Sequence, residues 1–212
     1  MAGFIKNVKG VAAILGVGTM KAVNTGGAFV HQKYVDIFAA PAAASTDAAT
    51  STLITPVAIS NSAGATGVII AQPDVPRNVT VWCTVANTAN VTIVGTDQFG
   101  VAQTEVIAAN GAAIVAGTKV FKTLTSVTSA NRSGSASTLS IGVGSILGTS
   151  RKMNSLEIDG AVYTTASGAT TAVQETTRPV KAPTADVHGV TFSTALDPAK
   201  TYLLSYGSSE VR

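Results

Sequence analysis

Cysteine is nearly absent from this chain: Cys83 is the only one in 212 residues, so no disulfide can close within it. That excludes a small secreted disulfide scaffold and agrees with assembly in a reducing cytoplasm. Aromatic residues make up only 5% of the chain and charged residues only 12%. So few charges leave little material for long solvated helices, and the abundance of Ala, Thr, Ser, Val and Gly suits strands and turns instead. The two histidines, His31 and His188, lie far apart and have no partner at a ligand spacing, so neither a metal nor another cofactor is expected. No apolar run approaches the ~20 residues that a membrane-spanning helix needs, so no membrane partner is expected.

What charge there is lies unevenly. The net +3 belongs to residues 1–46, where Lys6, Lys9, Lys21 and Lys33 face Asp36 alone, while residues 47–212 are neutral in sum. The basic residues neither cluster nor interleave with aromatics as a nucleic-acid groove requires. A cationic leading segment suits an acidic partner surface, or serves only to keep a sticky segment in solution. Val11 to Met20 follows Lys6 and Lys9 in the order of a secretion signal, but Lys21 comes at once and no clear small-x-small cleavage site comes next. Gly10, Gly16 and Gly18 punctuate the run too often for a helix. The segment reads as an extended N-terminal arm that packs on something other than its own body, with Phe4, Lys6, Lys9, Ile14, Leu15 and Lys21 as candidate contacts.

Residues 29–38 read as a strand with no clean face, and the small-residue tract 39–50, broken by Pro41, reads as a linker or a short helical turn. The body, 47–148, is organised around 75–144. There Val79, Val81, Cys83 and Val85 alternate with Asn78, Thr80, Trp82 and Thr84, the pattern of a half-buried strand with Cys83 on its inner face. A second strand, 91–96, meets Asp97-Gln98-Phe99-Gly100, where Asp can bond the backbone beyond it and Gly can turn left-handed. Strands are also expected over 53–60 and 67–72, with an extended crossing at Pro73-Asp-Val-Pro76. Residues 119–129 fit a strand with a bulge, and Leu139, Ile141 and Val143 alternate cleanly with Ser140, Gly142 and Gly144. Short strands at this spacing predict an all-β fold, an Ig-like β-sandwich or related barrel, with Val79, Val81, Val91, Ile93, Leu139 and Ile141 sharing one core. The tail, 149–212, continues in strands, with Asp159-Gly160 as a turn and 178–183 as a loop; it completes the sandwich or forms an appended sheet.

Motifs that carry chemistry are weak. Gly142-Val-Gly144 with Gly148 lacks the third glycine of a dinucleotide loop, because Leu147 stands in its place. Lys119 has no glycine at phosphate-loop spacing, and with no secretion signal expected, the acceptor triplets at Asn78, Asn90 and Asn131 read as chance matches in a Thr/Ser-rich chain. The acidic residues of the body are scattered, so an enzyme is not expected.

Five fragments taken together carry a resemblance: Asp74-Val-Pro-Arg-Asn-Val-Thr80, Val94 to Gly100, Thr104-Glu-Val-Ile107, Ala116 to Thr123 and Ser140-Ile-Gly-Val-Gly144. Their order and spacing resemble head decoration, or cement, proteins of tailed bacteriophages, over 73–148 and more loosely over 196–206. Trp82-Cys83 departs from that pattern, which more often has small or Thr-like residues there. The resemblance implies a structural virion protein, made in the host cytoplasm, that binds the outer capsid surface and bridges major capsid subunits. Its implied partners are the major capsid protein and copies of itself, as trimer or dimer. No catalytic residue comes with it. The alternative is a phage tail, fibre or carbohydrate-binding module on the same scaffold, for which Trp82 is the obvious sugar-stacking candidate.

Overall fold

Alternating β-branched and small residues drive this chain into strands, and no helix occurs among the described residues of the computed structural model. Those residues are 20–21, 32–39, 41–45, 53–60, 64–85, 88–131, 136–152, 158–165, 172–174, 180–181, 189–192 and 195–208. The strands in order begin with β1 (Met20–Lys21), β2 (Gln32–Ala39), β3 (Val57–Ile59), β4 (Ala65–Gly67) and β5 (Arg77–Cys83). Next come β6 (Asn90–Thr96), β7 (Ala102–Ala108), β8 (Val115–Ala116), β9 (Thr123–Ser129) and β10 (Ser137–Gly148). The last are β11 (Ile158–Thr165), β12 (Ala172–Gln174), β13 (Val180–Lys181), β14 (Gly189–Thr191) and β15 (Lys200–Ser208).

They form three antiparallel sheets packed as a sandwich. The orders are β4-β9-β6-β7; β13-β14-β10-β5-β8, with β3 also on β10; and β1-β2-β15-β11-β12. The first two enclose a core that contains all six residues expected there, Val79, Val81, Val91, Ile93, Leu139 and Ile141, each fully buried and each contributing about 1.5–3 kcal/mol. Cys83 is buried in the same core, as its face predicts. A second core, holding Phe38, Leu147, Val190, Phe192, Tyr202, Leu204 and Tyr206, lies against the five-stranded sheet. Strand β10 serves both: Leu139, Ile141 and Val143 enter the first core and Leu147 the second. Its pairing with β5 shifts register between Val143 and Leu147, where it passes from one to the other.

Two local expectations hold closely. In the β6–β7 hairpin, Asp97 Oδ1 accepts from the N–H groups of Phe99 and Val101, both at 2.8 Å, and Gly100 takes φ +85°. The bulge in β9 is present too, between its pairings with Val94 and Gly95. There the Gln72 amide donates to the Leu124 carbonyl (3.1 Å) and accepts from its N–H (2.5 Å).

Other expectations need correction. Strand β5 is not half-buried: Asn78 and Thr80 on its second face are buried along with Val79 and Val81, and so is Arg77 at its start. The cover is residues 41–45, which run along β10 through bonds from Ser45 N to Val143 O (2.8 Å) and from Val143 N to Ser45 Oγ (3.0 Å). Glycine makes this possible, since a Cβ at Gly142 would stand 2.2 Å from Ser45 Oγ and one at Gly144 would stand 2.2 Å from Asn78 Oδ1. The tract read as a linker is thus tied down here, and β2, read as part of an arm, pairs along its whole length with β15. The Asp159-Gly160 turn is instead a register shift inside the continuous strand β11, an irregularity that glycine accommodates. Within the loop expected over 178–183, β13 pairs with β14. The tail both extends the six-stranded sheet, through β13 and β14, and builds most of the five-stranded one.

Candidate functional site

Polar side chains in the interior are the first place to look for chemistry, and the densest group is at Arg77. Its Nε donates to Gly144 O (2.8 Å), Nη2 donates to the same oxygen, and Nη1 donates to Ala42 O (2.8 Å) and to Asp74 Oδ1 (3.2 Å). Ala42 N donates in turn to Asp74 Oδ2 (2.7 Å). Burial lowers the Arg77 pKa from its ordinary value, and Asp74 opposes that shift. Beside it, Asn78 Nδ2 donates to Gly117 O (2.6 Å) and Asn78 Oδ1 accepts from Ile146 N (2.8 Å). This arrangement clamps 41–45 and the β10 bend onto β5, and every polar atom in it has a structural partner.

The fragments that carry the resemblance meet around this clamp. Asp74–Thr80 bonds to Gly117, Phe121 and Gly144, and Thr96 O accepts from Lys122 N at 2.9 Å. Glu105, buried on β7, accepts from the N–H groups of Thr118 (2.6 Å) and Lys119 (3.2 Å), while Lys119 Nζ donates to Thr104 O (2.7 Å). Pieces separated in sequence thus join in one hydrogen-bonded unit that holds the β8–β9 connection.

A second polar group lies at the other core. Asp36 Oδ2 accepts from Ser150 N (2.8 Å) and Tyr206 Oη (2.9 Å), and its Oδ1 accepts from Ser150 Oγ. Burial first, then the Asp36 charge, pushes the Tyr206 phenol well above its ordinary pKa. A cleft of about 230 Å³ opens beside it, lined by Asp36, Phe38, Val75, Pro76, Gln98, Lys122 and Ser150. A serine on a carboxylate, with no imidazole between them, has no base strong enough to make it a nucleophile. Among the described residues, no three of His, Cys, Asp and Glu are grouped to hold a metal ion.

The outer face of β4-β9-β6-β7 differs from these groups. Register places Thr66, Thr128, Thr92 and Val106 in one row across all four strands, and Ser126, Val94 and Thr104 in the next. Thr96 and Thr123 share a hydroxyl hydrogen bond at 2.6 Å. Glu105 is the only charged residue in these strands, and it points inward. Val106 is 58% exposed, and beyond the end of β4, Val68 and Ile70 are 66% and 60% exposed. Other elements bond to this sheet at two places. Thr55 N donates to Val68 O (2.9 Å) and Ile70 N to Leu53 O (3.0 Å) on one side; on the other, Gln103 Nε2 donates to Val120 O and Glu105 holds 118–119.

Of the contact candidates read from the sequence, Phe4, Lys6, Lys9, Ile14 and Leu15 lie outside the described residues, as do His31 and His188. Lys21 falls in β1, opposite Gln32. Gly142, Gly144 and Gly148 lie in β10, where a Cβ would meet side chains. Trp82 is half-buried in β5, opposite Ser140. The uncharged face escaped the sequence reading. Its signal, the outward Thr and Val of three alternating strands, becomes a surface only once strand order is known. The chain matches no protein-family model, no curated protein and no solved structure.

Proposed function

We propose that this protein is a structural component of a phage virion, a decoration protein that lies on the outer capsid surface and bridges major capsid subunits. The observation that carries the reading is the uncharged Thr/Val outer face of β4-β9-β6-β7. The interior polar groups engage loops and strands, so the exposed chemistry is adhesive, and modest contacts repeated over a shell add up through multivalency. The resemblance across 73–148 supports the same reading. We assign the capsid contact to the cationic leading segment, with Phe4, Lys6, Lys9, Ile14, Leu15 and Lys21.

The test is to separate full heads from tails of the phage that encodes the chain and to quantify the protein in each fraction. Many copies on heads are expected, fewer when Lys6 and Lys9 are both replaced by Glu. Recovery with tails favours the tail or fibre alternative, and absence from both fractions overturns the virion reading.

A further inference from the structure

We infer that Asn110, in the turn from β7 to β8, is a modification site: the backbone nitrogen of Gly111 attacks its side-chain amide, and the asparagine becomes aspartate or isoaspartate. Of the nine asparagines in the chain, Asn110 alone is followed by glycine, which has no Cβ to crowd the attacking nitrogen and the widest backbone freedom to bring it round. The structure leaves both reacting groups open. Asn110 is exposed, and the turn is closed by a bond from Ala113 N to Asn110 O (3.0 Å), with Gly111 at φ +63°. That bond holds the main-chain carbonyl oxygen only. Neither the Asn110 side chain nor Gly111 N has a hydrogen-bond partner among the described residues, so no bond has to break before they meet. Asn78 is the opposite case. It is buried, its Nδ2 donates to Gly117 O, its Oδ1 accepts from Ile146 N, and the β-branched Val79 follows it. Asn90 is exposed, but it is paired with Ala108 in the β6–β7 ladder and precedes Val91.

The reaction needs only water. As Gly111 N bonds to Asn110 Cγ, the Cγ–Nδ2 bond breaks and ammonia leaves with the Gly111 amide proton, which closes a five-membered succinimide. Water then opens the ring at Cγ to give aspartate, or at the main-chain carbonyl carbon to give isoaspartate, and nothing is oxidised or reduced. Either product carries a carboxylate, so the net charge falls from +3 by one. Isoaspartate does more. The Asn110 carbonyl that Ala113 N now bonds becomes a free carboxylate, and one carbon is added to the backbone just before β8 pairs with β5.

The experiment is to age the folded full chain at mildly alkaline pH and body temperature, then digest it with trypsin and fragment the peptides in a mass spectrometer. Cleavage after Arg77 and Lys119 releases one peptide with Asn78, Asn87, Asn90 and Asn110, so each site is compared within the same molecule. A gain of one mass unit is expected at Asn110 at least tenfold faster than at the other three, with isoaspartate in the product. Asn110→Gln, which must close a six-membered ring, and Gly111→Ala are each expected to slow it at least tenfold. Gly111→Ala is strained at positive φ; should it fail to fold by circular dichroism, Asn110→Gln decides. Asn110 reacting no faster than the other three, or a rate unchanged in Asn110→Gln, overturns the inference. So does a reaction that appears only when urea unfolds the chain, since the native turn would then protect the pair.

Discussion

The first core is almost wholly Val, Ile and Leu, with Phe121 its one aromatic ring, whereas the second gathers Phe38, Phe192, Tyr202 and Tyr206. Aliphatic side chains need only to be covered. Tyrosines bring hydroxyls that need partners, so the second core draws in Asp36 and Ser150 for Tyr206, and Ala195 O for Tyr202 (3.0 Å). Phe192 packs edge-on to Tyr202 with ring centroids 5.0 Å apart. One core is therefore held by shape, the other by shape together with a few directional bonds. The chain carries its own reporters for both. Its single tryptophan, Trp82, is on β5, while its four tyrosines, Tyr34, Tyr163, Tyr202 and Tyr206, all fall on the five-stranded sheet.

The strongest way to break the comparison is Val81→Asp, which puts an unpaired charge into the first core and is expected to cost about 4 kcal/mol. Because β10 belongs to both cores, tryptophan fluorescence and near-ultraviolet tyrosine signals should be lost together in denaturant. An unchanged melting temperature would sink the strand assignment. Phe192→Ala sharpens the contrast, since the cavity it leaves costs about 3 kcal/mol and lies only in the second core. With β10 shared, the tyrosine and Trp82 signals are again expected to fall together, at lower denaturant than in wild type; a tyrosine transition that precedes the Trp82 one would show that the second core melts by itself.

The smallest effect is that of Tyr206→Phe, about 1.5 kcal/mol at neutral pH for the lost bond to a carboxylate. Its pH dependence has a definite sign. The folded phenol keeps its proton above the unfolded value near 10, so its contribution is complete below that pH and declines as pH rises further. Wild type should lose stability above about pH 10 more steeply than Tyr206→Phe does, and equal slopes in thermal melts would remove Tyr206 from the cause.

The first core was legible because β5, β6 and β10 each place alternate Val, Ile or Leu within a few residues, and the turn at Asp97 and Gly100 is built from local bonds. The second core was not. It assembles residues near 36, 147, 190 and 204, and its strand β2 turns Asp36 inward beside Phe38 while Ile37 faces out, so hydropathy cannot pick its inner face. Glycine was uninformative for a similar reason: Gly142 and Gly144 read only as the small residues alternating with Ile141 and Val143, whereas Ser45 and Asn78 occupy the space that a Cβ there would need. Of the surface, the individual Thr and Val positions were readable, but their common plane depends on the order β4-β9-β6-β7, which no local pattern encodes.

Strand β10 also has a mechanical consequence. It runs twelve residues, about 40 Å, with β5 along one edge and β3 and β14 at the two ends of the other. A pull along its axis loads these ladders in shear, so that many hydrogen bonds must yield at once instead of peeling one by one. Because Leu139 and Leu147 anchor the same strand in different cores, tension on either half of the molecule is carried into the other by a single backbone, which acts as a tie rod through the fold.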